Sequence, residues 1–415
     1  MDTAKRNKED GYSIRKILEK EFDRFWQNRS LPNHVLRAVR GMLNCRTQVY
    51  GGHMFGCPDE HFSLVLFNSC KKRNCPTCQN SEIEYWCRVQ KERILKTGHY
   101  HLVFKQPELM NAGFLSNYKE YATLIFDSAR DALKELLPDD VKAGFIFLLH
   151  THGHNNEIHP HVHCALTDGG MNKNGEYERF DSKLLTTEKI QELYQKHYLR
   201  KLRRRIKNGE IEHDKSPVEL SRAIVQKGMS VFVSDRYDRG EWLISYFGRN
   251  SRGGSIRDNQ IVYVDDEKIR YNYRNRKKQI VETEMNLHTF IQRFLYNIPP
   301  DRFNTIRYYG LYSPGSVEDC QKVRRYLNQK PYKKPSRISL LEDDGMKCPS
   351  CGKKLVHQES FERNTIPYLL MKKLKFDPAA MSKNYWQVPS AIFGLKFLWS
   401  EYSPVRPIRS ANRIA

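Results

Sequence analysis

The chain has 415 residues, enough for two or three domains with real hydrophobic cores. Lys and Arg number 70 against 48 Asp and Glu, a formal net charge of +22 with a sequence pI near 9.5. That surplus calls for an acidic partner, most commonly nucleic acid, and argues against a hydrolase of small molecules. The lack of a run of about 18 apolar residues argues against a membrane span.

The opening segment, MDTAKRNKEDGYS, has no apolar core of a signal peptide, so a cytoplasmic location is expected. There the ten cysteines point to metal before disulfides. Residues 13–43 are predicted helical from Ile14, Ile17, Leu18, Phe22 and Phe25 at three- and four-residue spacing. Residues 44–80 hold five of the cysteines, and 81–96 read as a helix. A strand follows at 100–104, then a helix over 116–136. Two apolar runs at 145–152 and 161–168, joined by a polar turn, predict an antiparallel hairpin. Helices are predicted at 187–207 and 241–249, the latter ending at Gly248. Residues 256–315 are mixed, and the tail is basic with a second cysteine pair. These readings divide the chain into a helical and zinc-binding region at 1–96, a central region at 97–315 and a basic region at 316–415.

Six histidines lie between positions 150 and 163. On a strand His161 and His163 point to one face while Val162 points to the other, so the pair forms half a metal site. His154 or His150 could supply a third ligand across the turn. Tyr246 lies on the helix at 241–249. A tyrosine oxygen can attack phosphorus when a metal polarises the phosphate, although with 23 tyrosines no single one is informative by itself. Cys75 and Cys78 have the two-residue spacing of a zinc knuckle, completed by Cys57 and Cys70, with Cys45, His53, Glu60 and His61 as spare ligands. Cys348 and Cys351 form a second knuckle, with Cys320 and His357 as candidate partners, whereas Cys87 and Cys164 read as core. Three basic stretches suit phosphate neutralisation. They are Arg200, Lys201, Arg203, Arg204, Arg205 and Lys207; Arg274, Arg276, Lys277 and Lys278, interleaved with Tyr271 and Tyr273 as stacking surfaces; and a third between Lys322 and Lys334.

In this order, the segments CRTQVYGGH (45–53), SCKKRNCPTCQ (69–79), HLVFKQP (101–107), HTHGHNNEIHPHVHCALTDGG (150–170), YFGRN (246–250), IRYYGLYS (306–313) and CPSCGKKL (348–355) cover most of the chain. Together they resemble the bacterial rolling-circle insertion-sequence transposases, the zinc-binding kind of the HUH endonuclease superfamily. The resemblance implies an α+β fold with a central antiparallel sheet flanked by helices. It implies that His161 and His163 bind catalytic magnesium or manganese, with His154 standing where the family tends to carry glutamine, and that the cysteines hold structural zinc. It further implies that Tyr246 forms a 5′-phosphotyrosine on single-stranded DNA at transposon ends or hairpins. Arg203, Arg204, Arg249 and Lys277 are the candidate DNA contacts among the basic residues. Many relatives carry a second tyrosine four residues on; here that position is Asn250, which favours a single-tyrosine variant and offers a further candidate ligand. Where relatives tend to have a second cysteine close to Cys57, this chain has Pro-Asp-Glu-His. A replication initiator or relaxase would share the chemistry, and a zinc protein that binds DNA without cutting it is the alternative of another class.

Overall fold

The structure is a computed structural model that describes residues 12–335 and 346–365, apart from 28, 154, 252–255, 276 and 278; of residues 249–251 only the backbone is described. The predicted N-terminal helix is two helices, α1 (Ile14–Trp26) and α2 (Asn33–Leu43), because Pro32 interrupts the backbone ladder between them. Strands β1 (Gly52–Gly56) and β2 (Ser63–Phe67) form a hairpin, followed by α3 (Gln79–Arg93). Next come β3 (His99–Lys105), a short α4 (Asn111–Ser116), α5 (Tyr118–Leu136), β4 (Lys142–His152), β5 (Ile158–Met171) and β6 (Tyr177–Arg179). Helix α6 (Thr187–Lys207) starts where the Thr186 side chain accepts from the Lys189 N–H, and α7 (Pro217–Lys227) follows a Ser216/Glu219 capping box. The chain continues through β7 (Val231–Val233), α8 (Glu241–Ser251), β8 (Ile261–Val264), β9 (Lys268–Arg274), β10 (Ile280–Asn286), α9 (Leu287–Tyr296), β11 (Ile306–Gly310), α10 (Val317–Tyr326) and β12 (Val356–Phe361). The fold is α+β. Among the described residues no helix is long and apolar enough to cross a membrane.

These elements form two compact units. One draws its described residues from Met1–Tyr85, Arg257–Asn259 and Pro335–Ala415; the other comprises Trp86–Ile256 and Gln260–Lys334. In the first, β1 is the middle strand of an antiparallel sheet in the order β12-β1-β2. The second is built on an antiparallel sheet in the order β11-β4-β5-β3-β7, with β6 added to β5.

The two faces of that second sheet carry different cores. Tyr100, Leu102, Phe104, Phe145, Phe147, Leu149, Val162, Cys164 and Leu166 share one core with Leu124, Ile125 and Phe126 of α5 and Tyr194 and Tyr198 of α6. Each large side chain so buried contributes about 1.5–3 kcal/mol. The intervening residues Ile146, Leu148 and Ala165 pack instead with Leu243, Ile244 and Phe247 of α8. This alternation places the odd-numbered positions of β5 under α8.

Candidate functional site

The histidines occupy the α8 face of the sheet. His163 and His161 follow Ala165 outward along β5, and the register sets His150 of β4 directly opposite His161. Ring centroids are 4.2 Å apart for His150 and His163, 4.9 Å for His161 and His163, and 5.1 Å for His150 and His161. One ring nitrogen from each of the three lies within 4.8 Å of the others, a spacing at which a single divalent ion can be held. His154, the third ligand suggested by the resemblance, lies outside the described residues, as do the side chains of Asn250 and Arg249. Described residues on both sides of His154 are held by hydrogen bonds. Thr151 donates to Asn297 at 2.6 Å, Asn297 bonds Asn156 at 3.2 Å, and Tyr271 donates to Asn155 at 3.0 Å.

The hydrogen bonds around these rings define which nitrogens are available. His161 Nδ1 donates to the His159 carbonyl at 2.6 Å, which leaves its Nε2 lone pair for a ligand. His163 Nδ1 lies 2.7 Å from Nε2 of His101 on β3, and the buried Nε2 of His163 has no hydrogen-bond partner. Burial pushes His161 down to about 3, His101 to about 4 and His163 well below the ordinary imidazole range. All three are therefore neutral at physiological pH, the form that ligates metal. A buried, orphaned imidazole nitrogen next to two others fits a bound divalent ion. His101 escapes a reading of the sequence because it stands alone; the signal for it is the pairing of β3 with β5, where it lies opposite Ala165 and diagonal to His163.

Tyr246 comes to the same place from α8. Leu243, Ile244 and Phe247 bury one side of the helix against the sheet. Gly240 lets the helix begin this close, since a Cβ there would lie 2.5 Å from Ile94 Cδ1 and 2.7 Å from His99 Nδ1. The Tyr246 ring is 5.8 Å from His163 and 5.4 Å from His101, and it stacks on Trp242 at 5.9 Å. Trp242 is half exposed, as is Phe232, whose ring lies 6.1 Å from that of His101. Helix α8 runs past Gly248 to Ser251 rather than ending there. Packing on the sheet outweighs the roughly 1 kcal/mol penalty of one internal glycine.

The cysteines group differently from their order in the chain. Cys70, Cys75 and Cys78 converge with Cys45, which directly follows α2, and not with Cys57; all four are buried with their sulfurs within 4.8 Å of one another. Cys70 Sγ lies 3.8 Å from Cys78 Sγ, the Cys70 N–H donates to Cys45 Sγ and the Lys72 N–H to Cys70 Sγ, both at 3.4 Å. Lys71 and Asn74 take positive φ of 54° and 64° to turn the knuckle. Hydrogen bonds from Cys70, Cys75 and Cys78 hold the Cys45 thiol well below its usual range, while those with Cys45, Cys70 and Cys78 push Cys75 up. Cys57 groups with His61, Cys348 and Cys351. Hairpin β1–β2 turns immediately after Gly56, which carries Cys57 away from the first cluster. Cys320 lies on α10, packed beside the core of the second unit, and His357 bonds Ser360 at 2.9 Å. Cys164 is in the core shared with α5 and α6, and Cys87 packs against the other core, on the α8 face.

The basic stretches also divide. Arg203 and Arg204 of α6 and Lys277 between β9 and β10 are exposed, although Arg203 also bonds Ser221 at 3.0 Å. Lys201 and Arg205, one helical turn apart, face α5 and pair with Asp131 and with Glu120 and Asp127. Buried Arg324 donates to the carbonyls of Glu92, Arg93 and Ile94, which end α3. Tyr271, read as a stacking surface, is buried against Phe290.

An α+β protein with a cysteine-rich unit and a histidine-bearing antiparallel sheet is the class that the fold and its clusters define. Residues 17–105 match the family model described as "Transposase zinc-binding domain", and residues 144–320 match the one described as "Putative transposase". The "Transposase for insertion sequence element IS801" of Pseudomonas savastanoi pv. phaseolicola is 23% identical over 348 residues, covering 80% of this chain and 85% of that protein. The "Putative transposase y4qJ" of Sinorhizobium fredii is 28% identical over 303 residues, covering 68% of this chain and 76% of that protein. No solved structure matches. Over these matches the chain is similar to transposases of the IS91/IS801 type, which supports DNA as its substrate and structural zinc in its cysteine-rich unit.

Proposed function

We propose that this transposase nicks and rejoins single-stranded DNA at the ends of its element by a rolling-circle type of mechanism, with Tyr246 as the nucleophile. The observation that carries this reading is the position of the Tyr246 ring beside His163, on the same face of the sheet as His150 and His161. Tyr309, a competing tyrosine, packs on Phe147 at 5.4 Å and belongs to the opposite face. His150, His161 and His163 would hold magnesium or manganese; bound there, the ion would polarise the scissile phosphate and stabilise the leaving oxygen. The Tyr246 hydroxyl gives up its proton as its oxygen bonds to phosphorus, the bond from phosphorus to the 3′ oxygen breaks, and that oxygen leaves as a 3′ hydroxyl. The resulting 5′-phosphotyrosine keeps the phosphodiester energy, so a later 3′ hydroxyl attacks it and releases Tyr246 without ATP. Half-exposed Trp242 and Phe232 offer unpaired bases a stacking surface next to the tyrosine, and Arg203, Arg204 and Lys277 offer exposed charge to the phosphates. The reaction belongs in the bacterial cytoplasm.

The test is incubation of the purified chain with single-stranded end fragments and manganese, resolved on a denaturing gel. We expect a covalent adduct whose mapped peptide contains ISYFGR, and no adduct from Tyr246→Phe, which keeps the ring and its packing. An adduct mapped to Tyr309, or made at full yield by Tyr246→Phe, would overturn the mechanism.

A further inference from the structure

We infer that Cys57, His61, Cys348 and Cys351 bind a second zinc, which clasps the segment around β12 onto the tip of hairpin β1–β2. This site is independent of the nuclease reading above. Its residues come from two places 294 positions apart in the chain. Cys57 Sγ lies 3.5 Å from Cys351 Sγ and 3.9 Å from His61 Nδ1, and all four ligand atoms are within 4.8 Å of one another. A tetrahedral zinc with bonds of about 2.0–2.3 Å spaces its ligands about 3.5–3.8 Å apart, so the four atoms need only small adjustments to enclose one ion. Three thiolates and an imidazole are a set that selects zinc over magnesium or calcium.

The backbone around the four residues is already folded as a ligand cradle. The Cys57 N–H donates to the Phe62 carbonyl at 2.8 Å, closing the hairpin turn that carries His61. The Cys348 N–H donates to the Lys353 carbonyl at 2.7 Å and the Gly352 N–H to the Cys348 carbonyl at 2.9 Å, closing the second knuckle. Lys353 pairs with Asp59 at 2.8 Å alongside.

Among the described residues, few apolar contacts hold this segment. Strand β12 pairs with β1 from Gly52↔Phe361 to Gly56↔Val356, but only Phe361 of its six residues is buried. The apolar cluster here consists of Cys57, Cys348 and Leu355, with Phe55, Phe62, Leu64 and Met346 against it. An edge strand with one buried side chain, closing a loop of some 300 residues, is marginal by itself. Four metal–ligand bonds supply what the apolar contacts lack.

Metal analysis of the full chain tests the clasp. Two zinc ions per chain are expected in the wild type, one in Cys348→Ser/Cys351→Ser and one in Cys57→Ser. Replacement by cobalt gives a second reading, since thiolate-to-cobalt absorption grows with the number of thiolates. His61→Cys should keep two metals and add the absorption of one thiolate, whether or not the serine variants stay soluble. One zinc in the wild type, two zinc in the double serine variant, or a cobalt spectrum unchanged by His61→Cys would overturn the clasp.

Discussion

The cysteine clusters and the histidine cluster are built for opposite purposes, and the difference lies in closure. Cys45, Cys70, Cys75 and Cys78 form a buried set of four, which fills a tetrahedral ion and leaves no position for substrate. His150, His161 and His163 form a set of three on a rigid sheet, next to a tyrosine and half-exposed aromatics. As the metal ligands proposed above, these three would leave coordination positions for a phosphate oxygen. The thiols sit largely in loops and at a helix start, outside any extended ladder. The imidazoles sit on β4 and β5, whose ladder and two cores exist without one.

The largest expected effect comes from breaking the closed set. Cys75→Ser/Cys78→Ser should lose the zinc of the first cluster and with it the cooperative unfolding of the cysteine-rich unit. Structural zinc sites of this kind contribute on the order of 10 kcal/mol of folding free energy. Zinc content and thermal unfolding by circular dichroism measure this together. A variant that lacks the metal but melts like the wild type would remove the distinction between the two kinds of site.

Breaking the open set should do the reverse. His161→Ala or His163→Ala should leave the melting transition in place and keep DNA affinity within about threefold, since phosphate charge is met by exposed Lys and Arg elsewhere. Cleavage should fall by more than the roughly 10²-fold typical of losing a residue that merely supports a metal ligand. Gel assays of adduct formation beside fluorescence anisotropy of a labelled single strand separate the two readouts. Undiminished cleavage by the double variant would show that these histidines carry no catalytic ion.

How far the sequence alone reveals this comparison depends on whether the neighbours are local. The period of α6, the alternation HPHVHCAL of β5 and the knuckle at Cys75 and Cys78 are visible because each is set by residues a few positions apart. The choice of Cys45 over Cys57 is not, since both precede Cys70 and only the turn of hairpin β1–β2 decides which one reaches it. Likewise Lys201 and Arg205 look like part of a basic run until α5 supplies their carboxylates. The joining of β12 to β1 depends on a pairing across most of the chain, which no local pattern encodes.

His101 sharpens the comparison at its finest grain, because it touches the open set without belonging to it. Its Nε2 meets His163 Nδ1 at 2.7 Å. For His163 to offer Nε2 to a metal, its proton must sit on Nδ1 and donate to His101, whose own proton is then on Nδ1. Burial, which holds His101 near 4, keeps that acceptor neutral. On the proposed metal site, His101 would be a positioning residue, fixing both the tautomer and the orientation of a ligand. In His101→Phe the ring volume stays and the acceptor goes, so the manganese concentration for half-maximal cleavage should rise about 10- to 100-fold. Saturating metal should recover most of the rate. In His101→Gln the side-chain oxygen can take the place of Nε2, so most of the metal affinity should return. A residue that only filled space would show the opposite order, with phenylalanine tolerated and glutamine not. Titrating manganese against initial cleavage rate in the three proteins distinguishes the two, and an unchanged midpoint in His101→Phe would leave His163 oriented by the sheet alone.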